Sequence, residues 1–163
     1  MMKKIFAAAA LSLLASSAFA TPPGYYGGLD LGSTKLDGMD GSKTSFGGFL
    51  GYGFNRFVAI ELGYRQLGKG NFDGADITVK QTHFSVIGSY PLAPQFDVYG
   101  RLGYNDLRAN ASYAGTSASA SDSGGLYGIG LNYDFTPAVS GRVEVQKPSS
   151  DSTNYNVGVV FKF

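Results

Sequence analysis

His83 is the one histidine in the chain and stands two residues before Ser85, in "THFSVIG". A histidine as general base, a hydroxyl as nucleophile and an orienting carboxylate make hydrolytic chemistry when all three converge. The acids with a comparable setting are Asp30, Glu61, Asp97, Asp134 and Glu144, and the bases are Arg65, Arg101, Arg142 and Lys162. All lie in stretches where polar and apolar residues alternate, and their charges nearly cancel. Ionised groups brought together away from water must be paired or hydrogen-bonded. Glu61, Arg65, Arg101, Arg142 and Glu144 are therefore candidates for a set of interior ion pairs. Such a set has two readings: a rigid polar plug, or a narrow gated conductance with Glu61 and Arg142 as the pair that opens.

Other chemistries fit less well. The chain has no cysteine, which removes disulfides, thiol nucleophiles and thiolate metal sites. "DGMDG" and "NFDGAD" carry acids suited to calcium but lack the twelve-residue ligand spacing of an EF-hand, and Asp-Gly is ordinary turn chemistry. "GLYGIG" has no helix after it to complete a phosphate-binding loop. No cofactor or metal is expected. The sequence has 13 basic and 12 acidic residues, so no basic excess points to nucleic acid.

The first twenty residues read as an address label. "MMKK" is a short basic start, an apolar run follows from Ile5 to Ala15, and Ala18 and Ala20 give the small-x-small pattern before a cleavage point. This is the pattern of a secretory signal peptide, cleaved to leave residues 21–163 as one domain. After Ala20 no apolar run approaches the roughly 18 residues a membrane helix needs. A membrane-spanning form would have to cross as strands.

The elements that position the charged residues are legible as alternation with a period of two. Apolar sets recur as Tyr25, Leu29, Leu31; Phe46, Leu50, Tyr52, Phe54; Val58, Ile60, Leu62, Tyr64; and Phe84, Val86, Tyr90. They continue as Phe96, Val98, Leu102, Tyr104; Tyr127, Ile129, Leu131, Tyr133, Phe135; Val139, Val143, Val145; and Tyr155, Val157, Val159, Phe161, Phe163. This predicts eight strands of about nine to eleven residues. Tight connectors ("NR", "PLAPQ", "TPA") alternate with long polar ones, expected at 35–44, 68–78, 108–125 and 148–154. The Ser/Ala/Gly stretch "ANASYAGTSASASDSGG" reads as a mobile loop.

Each strand thus has one face with ionisable groups and one with almost none. In a soluble barrel the apolar face would point inward, whereas in lipid the order inverts because hydrocarbon cannot solvate charge. Aromatics favour lipid. One set gathers beside the tight connectors (Phe54, Phe57, Tyr90, Phe96, Tyr133, Phe135, Phe163) and another towards the long ones (Phe46, Tyr64, Tyr104, Tyr127, Tyr155), as interfacial girdles do. The fold expected is all-β: an eight-stranded antiparallel up-and-down transmembrane β-barrel.

The chain resembles the OmpA-like transmembrane domain family over residues 24–163. The likeness is densest in "GYGFNRFVAIELGYRQLG", "YPLAPQFDVYGRLGY" and "GIGLNYDFTPAVSGRVEVQ". The resemblance implies a monomeric integral protein of the cell outer membrane, with both termini periplasmic. It implies contact with outer membrane lipid and lipopolysaccharide, and recognition by the barrel assembly machinery through a terminal signal of Tyr155, Val159, Phe161 and Phe163. Host-surface or phage ligands would meet the loops. Full-length relatives continue into a peptidoglycan-binding domain, so cell-wall anchoring is not expected of this chain. The family also places a Lys on strand four and a Glu on strand six among its inward charges, where this chain has Ile87 and Asn132. His83 and Ser85 resemble part of the signature of barrel enzymes that deacylate lipid A, but the surrounding residues do not match. The expectation is a non-enzymatic surface or structural protein, with a porin-like pore as the alternative and lipid A modification as a remote one.

Overall fold

The computed structural model describes residues 23–36, 42–72, 75–113, 116–149 and 152–163. The expected signal peptide, residues 1–20, and the "DGMDG" stretch lie outside them. Among the described residues eight strands form one closed barrel in chain order. They are β1 (Gly24–Leu36), β2 (Ser42–Gly53), β3 (Val58–Phe72), β4 (Ala75–Ala93), β5 (Phe96–Tyr113), β6 (Thr116–Thr136), β7 (Val139–Ser149) and β8 (Ser152–Lys162). All neighbours are antiparallel, and β1 closes the barrel against β8 from Tyr26↔Lys162 to Leu36↔Ser152. Closure leaves no sheet edge, which lets strands cross hydrocarbon with their backbone groups paired.

Local chemistry makes the tight turns. After β2 the Asn55 side chain accepts hydrogen bonds from the backbone N–H groups of Phe57 and Val58, at 2.8 and 2.9 Å. After β6 the Thr136 hydroxyl oxygen does the same for Ala138 and Val139, at 3.3 and 3.0 Å. Short polar side chains commonly satisfy turn backbone in this way. Phe163 is held at this turn end, its N–H donating to the Tyr25 carbonyl at 2.9 Å.

The two faces are sorted inside-out. Leu102 is 71% exposed and Leu29 70%, while Glu61 is fully buried and Arg101 3% exposed. Exposed rings ring both ends of the apolar belt: Tyr25, Phe54, Tyr90, Tyr133, Phe135 and Phe163 near the turns, and Phe46, Tyr64, Phe84, Tyr104, Tyr127 and Tyr155 further up.

The strands are longer than alternation alone indicates. β4, β5 and β6 have 19, 18 and 21 residues, not nine to eleven. The described parts of "ANASYAGTSASASDSGG" are strand, paired from Ala109↔Ala120 to Tyr113↔Thr116. Strand likewise enters the other long connectors, at 35–36 and 42–44, at 68–72 and 75–78, and at 148–149 and 152–154. The physical reason is that the ladder needs only backbone partners. Beyond the apolar belt neither face has to meet hydrocarbon, so the period-two signal fades while pairing continues.

Ile129 stands midway between the two rings on β6, so Ile129→Arg should destabilise the barrel by about 2–4 kcal/mol. Ser123→Arg, above the belt and exposed, should cost less than ~1 kcal/mol by the same depth dependence. Urea unfolding in lipid vesicles measures both.

Candidate functional site

Strand parity decides what enters the barrel. On β3 the outward Leu62 and Tyr64 leave Glu61 and Arg65 inside, and on β5 the outward Leu102 and Tyr104 leave Tyr99 and Arg101 inside. β7 contributes Arg142, Glu144 and Gln146, all buried. Four charges from three strands then meet in one layer. The Glu61 carboxylate accepts from Arg101 Nη2 through Oε2 and from Arg142 Nη1 through Oε1, each at 2.6 Å. Arg101 also reaches Glu144, its Nε donating to Oε1 at 2.6 Å and its Nη2 to Oε2 at 3.0 Å. Two carboxylates and two guanidiniums cancel, and charge-assisted bonds of this length are the strong ones.

Aromatic side chains complete the layer. Tyr99 donates its hydroxyl to Glu144 Oε2 at 2.6 Å, and Tyr26 donates to Glu61 Oε1 at 3.0 Å. The Arg142 guanidinium lies over the rings of Phe49 and Tyr99, 4.7 and 4.8 Å from their centroids. Its Nε donates to Asn132 Oδ1 at 3.0 Å. Stacking on rings uses faces that hydrogen bonds leave free, which suits arginine in a dry enclosure.

Each inward ring lies over a glycine. Tyr26 is opposite Gly51, Phe49 opposite Gly28 and Tyr99 opposite Gly130 in the strand register. A Cβ at any of the three glycines would overlap the facing ring. Eight strands leave an interior just wide enough for side chains, so a large group on one strand requires none on the next.

A second pair sits closer to the loop end. Arg65 holds Asp30 through Nε to Oδ1 at 3.0 Å and Nη2 to Oδ2 at 2.8 Å. Its Nη1 donates to Asn154 Oδ1 at 2.9 Å, and Asn154 in turn donates to Thr34 and Ser45, both at 2.8 Å. At the turn end Lys162 pairs with Asp134 at 2.7 Å on a partly exposed rim, and Asp97 is only half-buried. These last three stand at the mouth of the barrel, outside the central layer.

All five interior candidates thus lie in ion pairs, but in two groups: Glu61, Arg101, Arg142 and Glu144 together, with Arg65 apart on Asp30. Tyr26, Phe49 and Tyr99 went unnoticed as interior residues. Parity signals them, because each is out of phase with the apolar set of its own strand. His83 and Ser85 are buried on β4. His83 Nε2 is 3.3 Å from Arg101 Nη1, while His83 Nδ1 and the Ser85 hydroxyl have no hydrogen-bond partner among the described residues. Gln81 and Asn105 Oδ1 share that condition, so β4 and β5 form an under-bonded polar wall that interior water would serve. Ile87 is buried beside this layer, opposite Arg101 in the register. Among the described residues no group of His, Asp or Glu could hold a metal ion. Tyr155, Val159, Phe161 and Phe163 all face outward.

Comparison with known proteins gives a consistent result. The family described as "Outer membrane protein beta-barrel domain" matches residues 6–163. Outer membrane protein A of Serratia marcescens is 30% identical over 161 residues, covering 86% of this chain and 44% of that protein. Outer membrane protein P5 of Haemophilus influenzae is 31% identical over 128 residues, covering 67% of this chain and 36% of that protein. The chain spans less than half the length of these two curated relatives. Among solved structures, Neisserial surface protein A superposes with a TM-score of 0.69 at 18% identity, covering 87% of this chain and 99% of the other. Ail, the attachment invasion locus protein of Yersinia pestis, solved with the heparin analogue sucrose octasulfate, gives 0.64 at 20% identity, covering 86% and 97%. At these identities the structures share the fold.

Removing the shared acceptor should be costly. Glu61→Ala leaves two buried guanidiniums without their common partner and should destabilise the barrel by about 3–5 kcal/mol. Gly130→Ala, which puts a methyl group into the Tyr99 ring, should cost about 1–3 kcal/mol, and Tyr99→Leu in the same chain should relieve part of it. Urea titration in vesicles, following the shift between folded and unfolded gel mobility, reads each value.

Proposed function

The chain belongs to the outer membrane β-barrel family, and from that premise we propose that it works as a closed membrane anchor whose loop-end hairpins meet partners outside the cell. It is an integral outer membrane β-barrel, with the short turns and both described termini on the periplasmic side in this reading. The observation that carries the proposal is the Glu61 layer. Arg101 bridges two carboxylates, Arg142 is clamped between two rings, and each guanidinium has its partners at 2.6–3.0 Å. A gate would have to part Arg142 from Glu61, and the other hydrogen-bond acceptor of Arg142 among the described residues is the neutral Asn132. The layer is thus a lock that holds the wall in shape.

The long hairpins support the surface role. β5 and β6 continue as a paired ribbon past Tyr104 and Tyr127 to Tyr113 and Thr116, well beyond the apolar belt. Catalysis is not part of this reading: His83 stands beside Arg101, and no carboxylate among the described residues orients its other nitrogen. A minor pore is the second reading, favoured by the under-bonded wall of Gln81, His83, Ser85 and Asn105. Planar-bilayer recording separates the two. The anchor predicts no steady channels from the wild-type protein. Steady wild-type channels whose conductance changes in Glu61→Ala would overturn it. Trimming the β5–β6 hairpin above Tyr104 and Gly125 should leave a heat-modifiable barrel and abolish attachment of bearing cells to their target surface.

A further inference from the structure

Beyond the apolar belt the ring of ladders opens. The β6–β7 ladder stops at Tyr127↔Lys147, where Pro148 follows with no N–H to donate, and the β2–β3 ladder stops at Phe46↔Gln66. Pairing on their other sides continues, from β5 to β6 as far as Tyr113↔Thr116 and from β3 to β4 as far as Phe72↔Ala75. β3 to β6 therefore rise as one sheet with two edges, 68–72 on β3 and 116–126 on β6. Neither edge has a second neighbouring strand among the described residues.

The two edges differ. The β3 edge is short, includes Lys69 and sits above a register shift between Gln66 and Gly68. A lysine and a bulge are devices that keep other strands away. The β6 edge, "TSASASDSGGL", has no cation and no proline, and its register with β5 is unshifted. Parity identifies its free groups. Asp134 donates its N–H to the Gln95 carbonyl, on the β5 side, at 2.8 Å. Backbone groups of successive residues point to opposite neighbours, so even positions of β6 face β5. Ser117, Ser119, Ser121, Ser123 and Gly125 then turn their N–H and C=O groups to the open edge. The Ser123 N–H shows the demand there: it donates to the side chain of its own neighbour, Asp122 Oδ1, at 3.0 Å. A strand laid along the edge would supply a carbonyl at that place.

We propose that this edge pairs, strand to strand, with the β6 edge of a second copy on a facing membrane. The inference rests on the reading of the chain as a membrane anchor with its loop end outward, and it names a partner for that end. The edge is self-complementary. An axis through Ser121 sets Ser121 against itself, Ser119 against Ser123 and Ser117 against Gly125, and it sets Asp122 against Ala120 instead of a second acid. Residues 119–123 are exposed, and apart from Asp122 they are small. Copies in one membrane all run β6 from loop end to turn end, so they cannot pair it antiparallel, whereas copies on facing membranes can. Ser121 lies about 20 Å along the strand from Tyr127, or roughly 15 Å of height at the usual tilt, clear of the belt. β5 already holds this strand extended, so pairing with its twin orders little new chain, unlike the capture of a loose peptide.

The test mixes two sets of neutral phosphatidylcholine vesicles, each carrying the refolded whole chain and its own dye, and follows clumping by energy transfer. Wild type should clump with wild type about tenfold faster than with protein-free vesicles, since many weak pairs act together. Ser121→Pro removes a donor at the open edge and no bond to β5, so it should keep the heat-modifiable gel shift and lose most of the clumping. Ser121→Lys on both sets puts two cations face to face and should also abolish clumping, while Ser121→Lys against Ser121→Asp should restore it. No clumping between wild-type sets overturns the pairing. So does equal clumping with protein-free vesicles, which would make lipid the occupant, or clumping that neither Ser121→Pro nor paired Ser121→Lys reduces. A wild type without a gel shift would instead overturn the barrel reading beneath it.

Discussion

The carboxylate of Glu61, fully buried and shared between two guanidiniums, is the interaction around which the interior is arranged. Hydrocarbon outside and a narrow lumen inside leave an ionised group few options. It can face inward and be paired, or it can be absent. Once Glu61 faces inward from β3, Arg101 and Arg142 have a shared acceptor, and Arg101 then carries Glu144 into the same layer. β3, β5 and β7 are joined across the lumen by side chains, in addition to the ladder that joins neighbours around the wall. The aromatic residues follow from the same demand, since Tyr26 and Tyr99 supply hydroxyl donors and Phe49 and Tyr99 cover the guanidinium.

A chain of 163 residues with 24 glycines and 23 tyrosines and phenylalanines acquires a rationale from this crowding. Rings and guanidiniums are large for an eight-stranded lumen. The wall makes room by placing Gly28, Gly51 and Gly130 directly across from Phe49, Tyr26 and Tyr99. Elsewhere the same device serves charge: Gly158 faces Asp30 and Gly47 faces Arg65. Outside, aromatics face lipid headgroups at both ends of the belt. One composition thus meets two unrelated needs on the two sides of a single sheet.

Much of this was legible in the sequence. Period-two alternation identified all eight strands and put Glu61, Arg65, Arg101, Arg142 and Glu144 on their inward faces. Two things were not legible, for different reasons. Strand ends were underestimated because alternation reports contact with hydrocarbon, and β4 to β6 continue where that contact has stopped. Glu61 with Arg142 was legible as a pair, but the bridging of Glu61 and Glu144 by Arg101 was not, because Arg101 lies 40 residues from one and 43 from the other. Such distances are bridged only by the register of intervening strands. Parity could have found Tyr26, Phe49 and Tyr99, but counting aromatics as lipid-facing hid them.

The 2.6 Å contact between Arg142 and Glu61 makes them one coupled unit. A double-mutant cycle with Glu61→Gln and Arg142→Gln, read by reversible urea unfolding in vesicles, tests it most directly. Coupling of about 2 kcal/mol or more is expected, so that the double variant is far less damaged than the sum of the single ones. Additive losses, with coupling below ~0.5 kcal/mol, would contradict it.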